Sequence, residues 1–302
     1  MRSNDAVPMN VTNASIQPER PLGRVLLTGA AGNMGRLLRL ELPRHGIVLR
    51  SAGGRQPLVP HTADEDLHHG DLRDTAVVDR LLQGVDTVVH MAGTSVERPL
   101  PEIIDNNLIA LHSLYEGARR HGVQRIIFAS SNHAFGMHSV DSRLGLDAPY
   151  RPDGLYGLSK AWGELMARMY WDKHGIEGIA LRIGSCEAEP ANPRHLSTWL
   201  SHEDTVQLVL CCLRAPAVGF LPVWGVSDNA RSYWTPHQAA AIGYQPRSRS
   251  EDHAERVLAG PNPLDEVARQ FQGGSFVTQD YTPADQRPGR LVSTHHGNDN
   301  ND

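Results

Sequence analysis

The sequence predicts an α/β fold: a doubly wound parallel sheet with a small C-terminal portion folded over one end. Three observations predict it. Short apolar runs recur as far as residue 183, they are continuous rather than alternating, and helical patterns separate them. Continuous apolar runs mark strands covered on both faces. Strand–helix alternation makes such strands parallel, with right-handed crossovers.

The elements follow in order. "RVLLT" (24–28) is the first strand, and "TGAAGNMGR" (28–36) leads from it into a helix starting near Asn33. Gly29, Gly32 and Gly35 permit a tight turn and close approach of a pyrophosphate, and the helix N-terminus offers free N–H groups. Between a strand and a helix, this loop predicts dinucleotide binding of the Rossmann type through Gly29, Gly32, Asn33, Met34 and Gly35. A merely structural turn is the alternative. "IVLRS" (47–51) is the second strand. "HGDLRD" puts Asp71 and Leu72 at the end of a third, where an acid can accept a hydrogen bond from an adenine amino group; a solvated turn is the bland reading. Asp74 is an N-cap type, with Val77, Val78, Leu81 and Leu82 at helical spacing behind it.

"DTVVHMA" (86–92) is the fourth strand, and the small Ala92 and Gly93 let a cofactor backbone pass close by. A helix is expected from about Pro101 to His121, a strand at "RIIFASS" (125–131), a helix over Leu155–His174 and a strand at "IALRI" (179–183), which ends beside the cofactor at Ile183. The rhythm then breaks. "EAEPANPRHLSTW" reads as a loop, "HEDTVQLVLCCLRAP" as a helix and "GFLPVWG" as a strand. This division expects a flexible tail at 1–22, a dinucleotide-binding domain at 23–183, a substrate-binding portion at 184–281 packed on it, and a second flexible tail at 282–302. That portion would cover the open sheet end, where ligands bind in such folds.

Composition narrows the function. A chain of 302 residues with net charge −5 and no basic block gives no sign of nucleic-acid binding. No apolar run spans a membrane, and the first residues lack the apolar stretch of a secretory leader. Cys186, Cys211 and Cys212 form no C-x-x-C pattern, which suits a cytoplasmic setting. Cys211 and Cys212 read as helix core. No metal site is expected, because the pairs His68-His69 and His295-His296 lack further ligands at metal-site spacing.

"YGLSK" puts Tyr156 and Lys160 on one helical face. A phenol is a poor base at neutral pH, but a nearby ammonium favours the phenolate, so the Tyr156 pKa is expected to fall. Such a pair can take a proton from a substrate hydroxyl. Ser131, at the end of "FASS", can donate a hydrogen bond to the substrate oxygen.

Together these features resemble the extended short-chain dehydrogenase/reductase family over roughly residues 23–235. The resemblance implies that Ser131, Tyr156 and Lys160 are catalytic and that Tyr156 and Lys160 also touch the cofactor. Asn107, in "DNNLIAL", matches a recurrent asparagine that supports the site. Finer strings, "GTSVERP", "FASSNHAFG", "RPDGLYGLSK", "RIGSCEAEPANPRHLSTWLSHED", "PVWGVS" and "FQGGSFV", resemble uronate dehydrogenases. That likeness implies oxidation of a cyclic hexuronate, D-galacturonate or D-glucuronate, at C1 to an aldarolactone, with Tyr156 as base. An Arg194 fork can hold the C6 carboxylate bidentately, and Arg194 matches the family's carboxylate-binding arginine; a surface pairing with Glu187 or Glu189 is the alternative. Ser95, Asn132, His133 and Ser185 match positions that bind sugar hydroxyls or the carboxylate. Phe276 either closes the pocket, from this subunit or a neighbour, or packs in the core. A homo-oligomer is expected. The competing readings are an epimerase, dehydratase or reductase of a nucleotide sugar, and a non-catalytic dinucleotide sensor.

One segment departs from the resemblance. "LRSAGGRQ" (49–56) ends the second strand, where an acid would bind the ribose 2′-hydroxyl of NAD. Uronate dehydrogenases carry an aspartate where this chain has Gly53. Gly53 and Gly54 remove the carboxylate that repels a 2′-phosphate, and Arg55 can pair with one. The resemblance implies NAD; these residues predict that NADP is tolerated or preferred.

Overall fold

The computed structural model describes residues 22–55, 57–235 and 237–287; of the tails expected at 1–22 and 282–302, residues 1–21 and 288–302 lie outside them. The apolar runs pair as one parallel sheet. β1 (Val25–Thr28), β2 (Leu49–Ala52), β3 (Asp66–His68), β4 (Thr87–His90), β5 (Arg125–Ser131) and β6 (Glu177–Ile183) follow the chain. A small separate pair, β7 (Ser185–Cys186) with β8 (Trp199–Leu200), comes next, and β9 (Phe220–Gly225) joins the far edge of the main sheet. Sheet order is β3-β2-β1-β4-β5-β6-β9, so chain direction across the sheet reverses between β1 and β4. Pro222 lies in β9, where an edge strand tolerates its missing N–H.

The helices are α1 (Asn33–Arg44), α2 (Thr75–Leu82), α3 (Leu100–Ile103), α4 (Ala110–His121), α5 (Leu155–His174), α6 (His195–Thr198), α7 (His202–Arg214) and α8 (Ala254–Ala259), of which α1, α2, α4, α5 and α7 pack on the two faces of the sheet. Asp74 caps α2 as its type predicts, accepting from Ala76 N at 2.8 Å. The helix expected over 101–121 is instead α3 and α4 joined by a π-helical turn at Ile104–Ile109. α7 carries Cys212 fully buried and Cys211 half-buried, as helix core. Two apolar clusters sandwich the sheet: α1 and α7 contribute Leu38, Leu42, Val209 and Leu213 on one side. On the other, α2, α4 and α5 contribute Leu81, Leu114, Tyr115 and Ala167. Among the described residues no helix is long and apolar enough to cross a membrane.

The strand ends define where ligands can lie. The carboxyl ends of β1, β2, β4, β5 and β6 carry, in turn, the glycine loop, Gly53 to Arg55, Ala92 and Gly93, Ser131 to His133, and Ser185. Asp71 lies three residues past β3 rather than at its end, because pairing with β2 stops at His68. Gly53 N and Gly70 N then cross-link the two connections, to His68 O and Gly54 O at 3.0 Å each.

Candidate active site

The glycine loop turns between β1 and α1. Gly35 lies where a β-carbon would sit 2.0 Å from Gly29 O, so packing inside the loop forbids any side chain there. Gly32 differs: its β-carbon would meet only Gly29 O, at 3.4 Å, an ordinary contact. No side chain caps α1 and its first turn holds no acid, which leaves free N–H groups for an anion. Asn33 is exposed and accepts from Arg36 Nη2 at 3.0 Å, while Met34 is half-buried. This cradle fits a dinucleotide pyrophosphate.

Past β3, Asp71 accepts a forked pair from Arg73, which also reaches Asp105. That hydrogen bonding holds the Asp71 carboxyl down at about 2, with the nearby charge of Arg55 acting the same way. Arg55 is exposed and Leu72 is buried.

Asn107, on the π turn, is a post rather than an open ligand. Its Oδ1 accepts from Thr94 N at 2.7 Å, and its Nδ2 donates to Thr94 O and Ser159 Oγ at 3.0 and 2.9 Å. Ser159 in turn donates to Tyr156 O at 2.7 Å. The turn after Gly93 is thus tied to α5. Glu97, on the same connection, adds a second tie: Leu155 N and Tyr156 N donate to its two carboxylate oxygens, at 2.9 Å each. Ser95 stands exposed between these ties.

Ser131, Asn132, Tyr156 and Lys160 are all buried. Lys160 Nζ donates to Ala129 O at 2.8 Å and lies 5.5 Å from the Tyr156 ring centroid. Burial pushes the Tyr156 phenol up to about 12, against a hydrogen bond from Ser131 that lowers it, and pulls Lys160 down to about 8. The fall expected for Tyr156 is therefore reversed in the protein alone. Removing a phenolate from water costs more than these neighbours return.

Arg194 sits just ahead of α6. Its Nε donates to Gln272 O at 2.8 Å and its Nη1 to Ser185 Oγ at 3.2 Å. The Asn132 amide, oriented to satisfy both its groups, accepts from Arg194 Nη2 at 2.8 Å and donates to Ile183 O at 3.0 Å. No carboxylate pairs with Arg194 among the described residues; Glu189 pairs instead with Arg256. Phe276 stacks on His133 of its own chain at 3.8 Å and lies 6.0 Å from the Tyr156 ring. The residues 271–277 segment therefore links the arginine to the tyrosine. Glu97 and Gln272 carry no local sign of these roles, and their one signal in the sequence is that "GTSVERP" and "FQGGSFV" resemble uronate dehydrogenase strings.

The family profile for the NAD dependent epimerase/dehydratase family matches residues 25–219. A uronate dehydrogenase of Agrobacterium fabrum is 46% identical over 257 residues, covering 84% of this chain and 96% of that protein. The chain belongs to the NAD-dependent epimerase/dehydratase family, in its uronate dehydrogenase branch. Solved structures agree with that placement. The glucuronic acid dehydrogenase of Chromohalobacter salexigens superposes with a TM-score of 0.82 at 38% identity, over 85% of this chain and 97% of that one. A mutant uronate dehydrogenase of Agrobacterium tumefaciens, in complex with NAD, gives a TM-score of 0.80 at 43% identity over 85% and 98%.

The two loop glycines separate packing from ligand binding in this family member. Gly35→Ala should lower Tm by several degrees, a loss on the order of 1–3 kcal/mol from overpacking. Gly32→Ala should keep the wild-type Tm and weaken NAD binding. Thermal melts with fluorescence titration of NAD check both, and equal Tm losses in the two variants would show that the loop makes no such division.

Proposed function

We propose that this protein oxidises the C1 hydroxyl of a cyclic hexuronate, D-galacturonate or D-glucuronate, to the aldarolactone. The observation that carries this is Arg194: a guanidinium held by three protein oxygens, with no carboxylate partner among the described residues, facing the same segment as Tyr156. A fixed cation of this kind suits a carboxylate on the substrate. The relatives named uronate dehydrogenase support the same substrate class.

NAD, when bound, supplies the hydride acceptor. It would rest against Gly29, Gly32, Asn33, Met34 and Gly35, with Asp71 and Leu72 at the adenine and Ala92, Gly93 and Ile183 along its length. Asn107 acts on it through the Gly93 turn that it fastens. Tyr156 Oη takes the proton from the C1 hydroxyl, and Ser131 holds the same oxygen. Lys160, cationic below about pH 8, favours the phenolate. Arg194, Asn132 and Ser185 hold the carboxylate, and Ser95 and His133 contact the sugar. Residues 184–281 form the substrate portion.

Galacturonate or glucuronate should drive steady reduction of NAD; no turnover with any free uronate would sink this reading. Tyr156→Phe should cut kcat by about a hundredfold or more while NAD affinity stays put, and near-wild-type kcat would remove the tyrosine as base.

Arg194→Ala should raise KM for the uronate by about tenfold or more, the worth of a charge-assisted bond, with KM for NAD unchanged. Equal rises in both would take Arg194 out of the carboxylate role.

For the cofactor, NAD use with tolerance of NADP is the reading that Gly53, Gly54 and Arg55 support. Arg55→Ala should lower kcat/KM for NADP about tenfold and leave NAD within about twofold. A wild-type enzyme inactive with NADP would contradict this.

A further inference from the structure

Asp153 has no place in the mechanism above, yet its surroundings are unusual. It precedes the N-terminus of α5, where an acid ordinarily caps the helix. That duty is already filled by Glu97, which takes the N–H groups of Leu155 and Tyr156. Asp153 turns inward instead. Its side chain has no exposure, and its Oδ2 pairs with His133 Nδ1 at 2.6 Å. Its Oδ1 is buried without a hydrogen-bond partner among the described residues.

The carboxylate fits because three glycines make room for it. A β-carbon at Gly136 or Gly273 would lie 1.8 or 2.0 Å from Oδ2, and one at Gly157 would lie 3.0 Å from Oδ1. A buried carboxylate with one partner and one orphaned oxygen lowers stability. Such a cost persists where the group works on something else. Here that something is His133, whose ring is clamped by Phe276 at 3.8 Å and set edge-on to Tyr156 at 5.7 Å. His133 Nε2 has no hydrogen-bond partner among the described residues, and 12% of the side chain remains exposed.

We propose that Asp153 is a positioning residue that acts on the substrate through His133: it claims the Nδ1 proton and leaves Nε2 as a hydrogen-bond acceptor facing the pocket. In a neutral imidazole one nitrogen donates and the other accepts, and the partner of the first fixes the role of the second. An acceptor at that point takes a pyranose hydroxyl, because a carboxylate has no proton to offer it. His133 therefore reads a hydroxyl, and the carboxylate is left to Arg194. This rests on the hexuronate reading.

The test is a double-mutant cycle on uronate kinetics. Asp153→Asn keeps the shape that the glycine cradle accepts. It should lower kcat/KM for the uronate about 10- to 100-fold, mostly through KM, with NAD affinity unchanged. In a His133→Ala background the same Asp153→Asn change should alter kcat/KM by less than about twofold. Wild-type kcat/KM in folded Asp153→Asn, or an equal loss with and without His133, would overturn the proposal. Ring nitrogen NMR on the wild-type protein decides independently of how the variants fold. The proposal needs Nδ1 protonated and Nε2 bare; a proton on Nε2 at neutral pH ends it. Absence of any uronate turnover in the wild type would instead strike the hexuronate reading, and the NMR result would still stand.

Discussion

The site is held in shape by a buried ion pair between Glu164 of α5 and Arg182 of β6. Both side chains are essentially without exposure, and Arg182 Nη2 meets Glu164 Oε2 at 2.9 Å. Ser130 and Tyr150 also donate to the carboxylate, and Arg182 Nη1 donates to Leu146 O. The guanidinium lies over the Phe135 ring at 4.2 Å and near Trp224 at 5.1 Å. Removing one partner of such a pair leaves a stranded charge and costs about 3–5 kcal/mol. Three of its groups adjoin site residues: Ser130 precedes Ser131, Arg182 precedes Ile183, and Glu164 follows Lys160 by one helical turn. The pair thus joins helix and sheet at the register that brings Ser131, Tyr156 and Lys160 together.

Around that fixed centre the charges are arranged to leave cations free. Glu97 and Asp153 both lie close to Tyr156, yet each is occupied, one by backbone N–H groups and the other by an imidazole. Lys160 gives one hydrogen bond, to a neutral carbonyl, and Arg194 gives its hydrogen bonds to neutral oxygens. Below them His90, fully buried and bonded to Thr28 Oγ1 at 2.8 Å, is held neutral by burial, with a pKa near 3. No carboxylate among the described residues forms an ion pair with Lys160 or Arg194, although the charge of Asp153 acts on both Arg194 and Tyr156.

Much of this was legible in the sequence because it is written locally. The strands are continuous apolar runs, α5 begins and ends where its pattern does, and Tyr156 and Lys160 share a face through their spacing alone. Other features depend on distance or burial, which no local pattern carries. Glu97 caps a helix 58 positions further along. Gln272 reaches Arg194 across 78 positions. The π turn that seats Asn107 has no distinct period in the residues around it. The direction of the Tyr156 shift departs from expectation for the same reason: spacing places the ammonium, but only the folded chain shows how completely the phenol is removed from water.

The two ends of the site are built on unlike terms. Around Arg194, Asn132, Ser185 and Gln272 O all meet one guanidinium, so moving it disturbs each of them. Past β2, Arg55 is exposed on a short connection that backbone hydrogen bonds from Gly53 and Gly70 tie down. A substitution there disturbs no buried network. The setting of Arg194 is therefore the resistant feature of this chain. The stretch from Gly53 to Arg55 is the one that substitution can alter with the least disturbance elsewhere.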